Sequence, residues 1–103
     1  MALVFDILED EKNRLLELRR RYEEQIADLP KGTLVRKPRW NKAYYYRAYR
    51  EAARVKFEYI GVEGSEQVLA LAQKISQRKD LEKKLRGIKE NLNQVARGLR
   101  GKR

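Results

Sequence analysis

Cations and aromatic rings are interleaved through the middle of this 103-residue chain, where its side chains have most to offer chemically. Lys31, Arg36, Lys37, Arg39, Lys42, Arg47, Arg50, Arg54 and Lys56 fall among seven of the nine aromatics, namely Trp40, Tyr44, Tyr45, Tyr46, Tyr49, Phe57 and Tyr59. Phosphates need cations, and arginine adds a planar fork that meets two anionic oxygens at once. Tyrosine and tryptophan can stack on unpaired bases or hold arginine stems in place. The combination points to nucleic acid as the partner, DNA in preference to RNA, with Trp40 joining the cations as a contact residue. A second basic set, Arg97, Arg100, Lys102 and Arg103, has the pattern of a flexible tail that adds sequence-independent phosphate contacts. The plainer alternative is a solvated sheet surface over an aromatic core, followed by an ordinary solvated end.

Other chemistries find little support. The chain has no cysteine and no histidine, which removes disulfides, thiolate nucleophiles, imidazole bases and the usual zinc ligand sets. Asp80, Glu82 and Lys84 have the spacing of a nuclease-like D-x-E-x-K, but they fall mid-helix in a Lys/Glu-rich stretch. Tyr46 as a recombinase nucleophile would need a surrounding catalytic domain. The six glycines lie in turns, in the tail or singly in a helix, so none builds a phosphate-cradling loop. The expectation is therefore a non-enzyme with no metal and no cofactor.

The net charge of +10 is unevenly spread. Met1 to Leu29 carries five basic and eight acidic residues, a balance of −3. Pro30 to Ile60 carries nine basic against Glu51 and Glu58, a balance of +7, and Gly61 to Arg103 carries eleven against five, a balance of +6. Such asymmetry marks surfaces more than bulk charge does. The longest apolar run falls far short of a bilayer span, and residues 1–8 lack the basic start and apolar length of a signal peptide. A soluble cytoplasmic protein without a membrane partner is expected.

Three segments must position these residues, read together as one α+β domain: 1–29 a helix, 30–64 a basic aromatic-rich sheet, 65–103 a long helix with a basic tail. Asp6 reads as an N-cap with Glu9 in capping-box position. Leu8, Leu15, Leu18, Tyr22, Ile26 and Leu29 then form one helical stripe, stopped by Pro30 and Gly32. Ser65 caps the second helix, whose stripe starts with Val68, Leu71 and Ile75, shifts phase near Arg78, and resumes as Leu81, Leu85, Ile88, Leu92, Val95 and Leu99 in a heptad. The shift suggests that the helix changes partner at Arg78; Gly98 and Gly101 are expected to end it. Lengths of about 33 and 48 Å leave the last third of the second helix uncovered in a simple antiparallel pair. A homodimer through those six residues is the favoured solution, although the first helix could instead pair with the far end of the second. Between the helices, Val55, Phe57 and Tyr59 alternate with Arg54, Lys56 and Glu58 as a strand. Leu34 to Trp40 and Lys42 to Arg50 read as two more strands, giving a three-stranded antiparallel sheet. A helical reading, with Tyr46, Tyr49, Ala53, Phe57 and Ile60 on one side, competes. The turn Glu51-Ala52-Ala53 has no Gly or Asn to supply positive φ.

Leu29-Pro30-Lys31-Gly32-Thr33-Leu34, Tyr44-Tyr45-Tyr46, Tyr49-Arg50-Glu51, Arg54-Val55-Lys56 and Tyr59-Ile60-Gly61 together resemble a family of small bacterial and archaeal proteins, a domain of unknown function. The resemblance covers roughly Leu29 to Leu85. The hairpin is similar to one near the start of some insertion-sequence transposases, and the strand–helix order to the arm-binding domain of tyrosine integrases. The resemblance implies the fold and a mobile-element or phage setting, but no activity. Ala52-Ala53 departs from it, since the family tends to carry glycine there.

On strands, Arg36, Arg47, Arg50, Arg54 and Lys56 are expected to form one positive face, with Val35, Tyr45 or Tyr49, Phe57 and Tyr59 partly underneath. Such a sheet would enter the major groove and read base edges. A protein-interaction adaptor or inhibitor working through the same basic surface, and a structural coiled-coil module, are the alternatives.

Overall fold

The structure, a computed structural model, describes residues 2–100 and runs α1 (Ala2–Ala27), β1 (Thr33–Arg39), β2 (Lys42–Glu51), β3 (Arg54–Val62) and α2 (Glu66–Arg100). This is the expected α+β order, and the strand reading of 44–57 prevails over the helical one. The chain divides into two compact units. One joins the segment up to Asp28 with the segment from Asp80 onward, and the other is Leu29–Lys79. The boundary cuts α2 beside Arg78, where the apolar stripe changes phase.

In the helical unit, Leu15, Ile88 and Val95 form the buried centre, and Leu8, Leu18, Tyr22, Leu92 and Leu99 pack around it. Each fully buried side chain of this kind contributes about 1.5–3 kcal/mol. Leu81 and Leu85 are half-buried. Ile88, Leu92, Val95 and Leu99 of the heptad are thus packed with α1 of their own chain. The alternative pairing, first helix against the far end of the second, is the one adopted. The two helices run antiparallel, with Leu8 against Gly98. A Cβ on Gly98 would lie 3.2 Å from Leu8 Cδ1. Gly98 therefore makes room for a neighbour and does not end α2, which continues to Arg100. Asp6 is not a cap either: α1 begins at Ala2, four residues earlier, because nothing before Asp6 breaks a helix. The outer side of α1 carries ion pairs one turn apart, with Arg14 on Glu11 and Arg20 held between Glu17 and Glu24 at 2.7 and 2.5 Å. Hydrogen bonds from Arg14 and Arg20 hold the Glu11 and Glu17 carboxyls below the usual carboxylate range.

In the sheet unit the strands lie in the order β1-β2-β3, all antiparallel. The Gly32 of the Leu-Pro-Lys-Gly stretch has φ 112°, and a Cβ there would collide with the Ala48 carbonyl. Only glycine lets the chain enter β1 so close to β2. Both hairpins close on two-residue turns whose first residue has positive φ, Trp40 at 59° and Ala52 at 55°. The alanine turn forms without glycine, at the steric cost the left-handed region imposes on L residues. Ser65 caps α2 as expected: its Oγ accepts the Val68 N–H at 3.4 Å. Val68 lies against Gly61 of β3, and Arg78 Nη1 donates to the Leu29 carbonyl at 2.6 Å. The first three turns of α2 therefore cross one face of the sheet from Gly61 toward the start of β1. Ala43, Gly61, Val68 and Ile75 are buried there.

Candidate nucleic-acid interface

Pairing partners in a sheet share a face, so the register assigns every side chain. Val35 pairs with Tyr46, Lys37 with Tyr44, Arg39 with Lys42, and on the other side Tyr46 pairs with Tyr59, Ala48 with Phe57 and Arg50 with Val55. These residues, with Thr33 and Val62, make one face. Leu34, Arg36, Ala43, Tyr45, Arg47, Tyr49, Glu51, Arg54, Lys56, Glu58 and Gly61 make the other, the one α2 crosses. A bulge between Tyr45 and Tyr46 leaves Ile60 as the extra residue of β3.

The positive face expected from the sequence is assembled except for Arg50. Arg36, Arg47, Arg54 and Lys56 lie on the helix side and Arg50 on the opposite side. Val35, Phe57 and Tyr59 lie underneath on the opposite side as expected, whereas Tyr45 and Tyr49 share the helix side with Arg47. The physical reason is strand parity: Arg47 and Arg50 are three apart on β2, so they point in opposite directions. Three of the four helix-side cations are also occupied. Arg36 pairs with Glu63 at 3.1 Å, Arg47 with Glu58 at 3.4 Å and Lys56 with Glu51 at 3.5 Å. Glu63 raises the pKa of the Arg36 guanidinium, chiefly through their hydrogen bonds. Arg47 is the most enclosed: its side chain is 16% exposed, Nη1 donates to the Lys31 carbonyl at 2.8 Å, and the guanidinium lies 4.0 Å from the Tyr49 ring centroid. It ties the entry to β1 to the middle strand.

The opposite face is open and carries no carboxylate among the described residues. Its cations are Lys37, Arg39, Lys42 and Arg50. Tyr44, Tyr46, Phe57 and Tyr59 occupy its centre, with Phe57 56% and Tyr59 53% exposed. Tyr59 meets Tyr46 edge-on at 5.5 Å and Tyr44 at 6.3 Å. Lys37 Nζ sits 4.8 Å from the ring centroids of both Tyr46 and Phe57, a cation resting on π faces. Arg39, Lys42 and Arg50 are exposed and make no ion pair among the described residues. Trp40 stands fully exposed at the β1–β2 turn. Thus Lys37, Arg39, Trp40, Lys42 and Arg50 come together on or beside one surface, while Arg36, Arg47, Arg54 and Lys56 do not join them.

The sequence places Phe57 and Tyr59 partly underneath the cations and puts none of the four central rings in the contact set. Their shared parity was legible once Tyr46 was set opposite Tyr59; which parity faced solvent was not. Lys31 is exposed where the chain enters β1. Arg97 and Arg100 belong to the helical unit, in the last turn of α2, where cations suit the helix dipole. Lys102 and Arg103 lie outside the described residues. Asp80, Glu82 and Lys84 lie on uninterrupted helix, where positions two apart point away from each other. Among the described residues no cluster of acidic side chains is arranged to hold a metal ion, and no helix is long and apolar enough to cross a membrane.

A family model described as a domain of unknown function, DUF6788, matches residues 12–70. The match begins inside α1 and ends in the first turns of α2, so it takes in the whole sheet and both glycine-dependent approaches around it. No curated protein and no solved structure matches the chain.

Proposed function

The chain belongs to the DUF6788 family, whose function is not known, and we propose from its own open sheet face that it is a non-enzymatic protein that binds nucleic acid, with DNA the first strand to test. One observation carries the reading: the sheet separates its charges by face. Glu51, Glu58 and Glu63 all pair with helix-side cations, which leaves the other face with four cations and exposed rings. A polyanion approaching that face meets attraction without a nearby carboxylate to oppose it, and each phosphate neutralised releases counterions. On this reading the protein works in the cytoplasm and needs no cofactor.

The test is affinity for a labelled DNA strand across a salt series. The logarithm of affinity should fall linearly with the logarithm of salt, and Arg39→Ala, Lys42→Ala or Arg50→Ala should each flatten the slope by roughly 0.7–0.9. Arg36→Ala should leave it unchanged. Absence of binding at low salt would sink the proposal and favour a protein partner for the basic surface.

A further inference from the structure

The open face has a chemical layout beyond its charge, and from it we infer the class of nucleic acid: an unpaired strand, its bases stacked on the central rings and its phosphates held by the cations around them. The inference rests on the nucleic-acid reading above and narrows it. Tyr44, Tyr46, Phe57 and Tyr59 put π faces and ring edges at the centre, where the polar groups are phenol hydroxyls and the Lys37 ammonium resting on two of the rings. Base edges in a duplex groove are read by amide and guanidinium donors and by carboxylates, and the centre of this face has none. Duplex DNA keeps the π faces of its bases stacked inside, out of reach of exposed rings. Width argues the same way. The major groove, about 12 Å across, admits a helix or a two-stranded ribbon. Three strands laid flat span roughly 10 Å between their outer axes before side chains are added.

An unpaired strand fits the same layout. Every base has a π face, so rings bind it with little regard to sequence. Lys37 already occupies the Tyr46 and Phe57 faces in the free protein. A base arriving there takes its place, and the flexible ammonium can swing to the adjoining phosphate. Arg39 and Lys42 close one end of the face and Arg50 the other. From Lys42 to Ala48 the strand runs about 20 Å, room for roughly four nucleotides, the short end of known single-strand sites.

Trp40 extends this path. It is fully exposed, and its backbone is held at φ 59°, a conformation bulky residues rarely adopt. Strain at a side chain that packs on nothing among the described residues is a pointer to use by a ligand. Flanked by Arg39 and Lys42, the indole stands where a strand leaving the face would present its next base.

Trp40 is the single tryptophan of the chain, so its emission reads the hairpin tip directly. The full chain is titrated at low salt with four probes of equal length, about eight nucleotides: oligo-dT, oligo-rU, an abasic DNA strand and a DNA duplex. The expected result is quenching of Trp40 by a base-bearing strand, with affinity at least about tenfold above the abasic strand and the duplex; the dT and rU arms show which sugar is preferred. Phe57→Ala should weaken base-bearing strands by roughly 5- to 150-fold, the range for one lost stacking contact, and barely affect the abasic one. Tyr59→Ala replaces it if circular dichroism shows Phe57→Ala misfolded. Equal affinity for the abasic strand or the duplex overturns base stacking while phosphate binding stands. Failure of all four probes to bind overturns the parent reading with it.

Discussion

Arg47 and Arg50 stand three residues apart on one strand, and the structure assigns them opposite work. Arg47→Ala should destabilise the sheet and leave the salt dependence of nucleic-acid binding alone; Arg50→Ala should do the reverse. The size follows from the contacts. Arg47 donates to the Lys31 carbonyl at 2.8 Å and stacks 4.0 Å from the Tyr49 centroid. A hydrogen bond with one charged partner contributes about 1.5–3 kcal/mol, and a partly shielded cation–π contact about 0.5–1 kcal/mol. The Glu58 pair adds little, because that carboxylate is half exposed. Release of the arginine rotamers gives back up to about 2 kcal/mol. The net loss is about 1–2 kcal/mol. With a urea slope of about 1–2 kcal/mol per molar, as for small domains, the unfolding midpoint drops by about 1 M. Arg50 is exposed and makes no ion pair among the described residues, so its removal stays within about 0.5 kcal/mol. Urea unfolding followed by far-UV circular dichroism reads the first quantity, and binding across a salt series reads the second. Arg47→Lys separates charge from geometry: it keeps the cation, loses the planar fork, and should recover only a minor part of the stability. If Arg47→Ala left the midpoint unmoved and flattened the salt slope as Arg50→Ala does, the assignment of the two faces would be wrong.

Ala52→Gly should stabilise the sheet unit by about 0.5–1 kcal/mol. It relieves a left-handed residue at φ 55° and gives back part of the gain in unfolded-state entropy; a lowered urea midpoint would contradict the turn described. Leu15→Ala removes the most buried side chain of the helical unit and should cost about 2–5 kcal/mol in thermal or urea unfolding. A smaller loss would mean that the α1–α2 seam is not the core of that unit. The Glu11 and Glu17 carboxyls have folded-state pKa values below their unfolded ones. Their contribution to α1 is therefore present above the ordinary glutamate range and lost as pH falls through the lowered folded values. Side-chain carboxyl NMR titration should show the Glu17 midpoint rising toward the ordinary value in Arg20→Met, and an unmoved midpoint would exclude Arg20 as its cause.

The elements were legible in the order of residues along the chain. Ser65 before an apolar repeat announced a capped helix, Val55, Phe57 and Tyr59 alternating with charges announced a strand, and the phase slip near Arg78 announced a helix with two partners. Each is local, because cap chemistry and side-chain period act within a turn or two of chain. Boundaries were less legible: Asp6 and Gly98 looked like helix ends, yet the helix runs through both. At Gly98 the reason is tertiary, since Leu8 of α1 occupies the space a side chain would fill.

Which surface covers which is a matter of packing between elements. The heptad from Leu81 to Leu99 looks the same whether α1 or a second chain lies on it; the packing of Leu15 against Ile88 and Val95 assigns it to α1. The central segment shows the same division more sharply. An amphipathic strand states which residues go together but not which set meets solvent, and habit sends the rings inward. Here α2 crosses the side of Ala43 and Gly61, two small residues that let a helix approach. That choice leaves the rings outside with Lys37, while Arg47 and the sheet carboxylates lie on the helix side. The nine cations of the middle segment are consequently not one surface. Lys31 precedes β1, and the other eight are divided by the two-residue period of the strands: Arg36, Arg47 and Lys56, each paired, lie with Arg54 on the helix side, and an unopposed four lie on the open side.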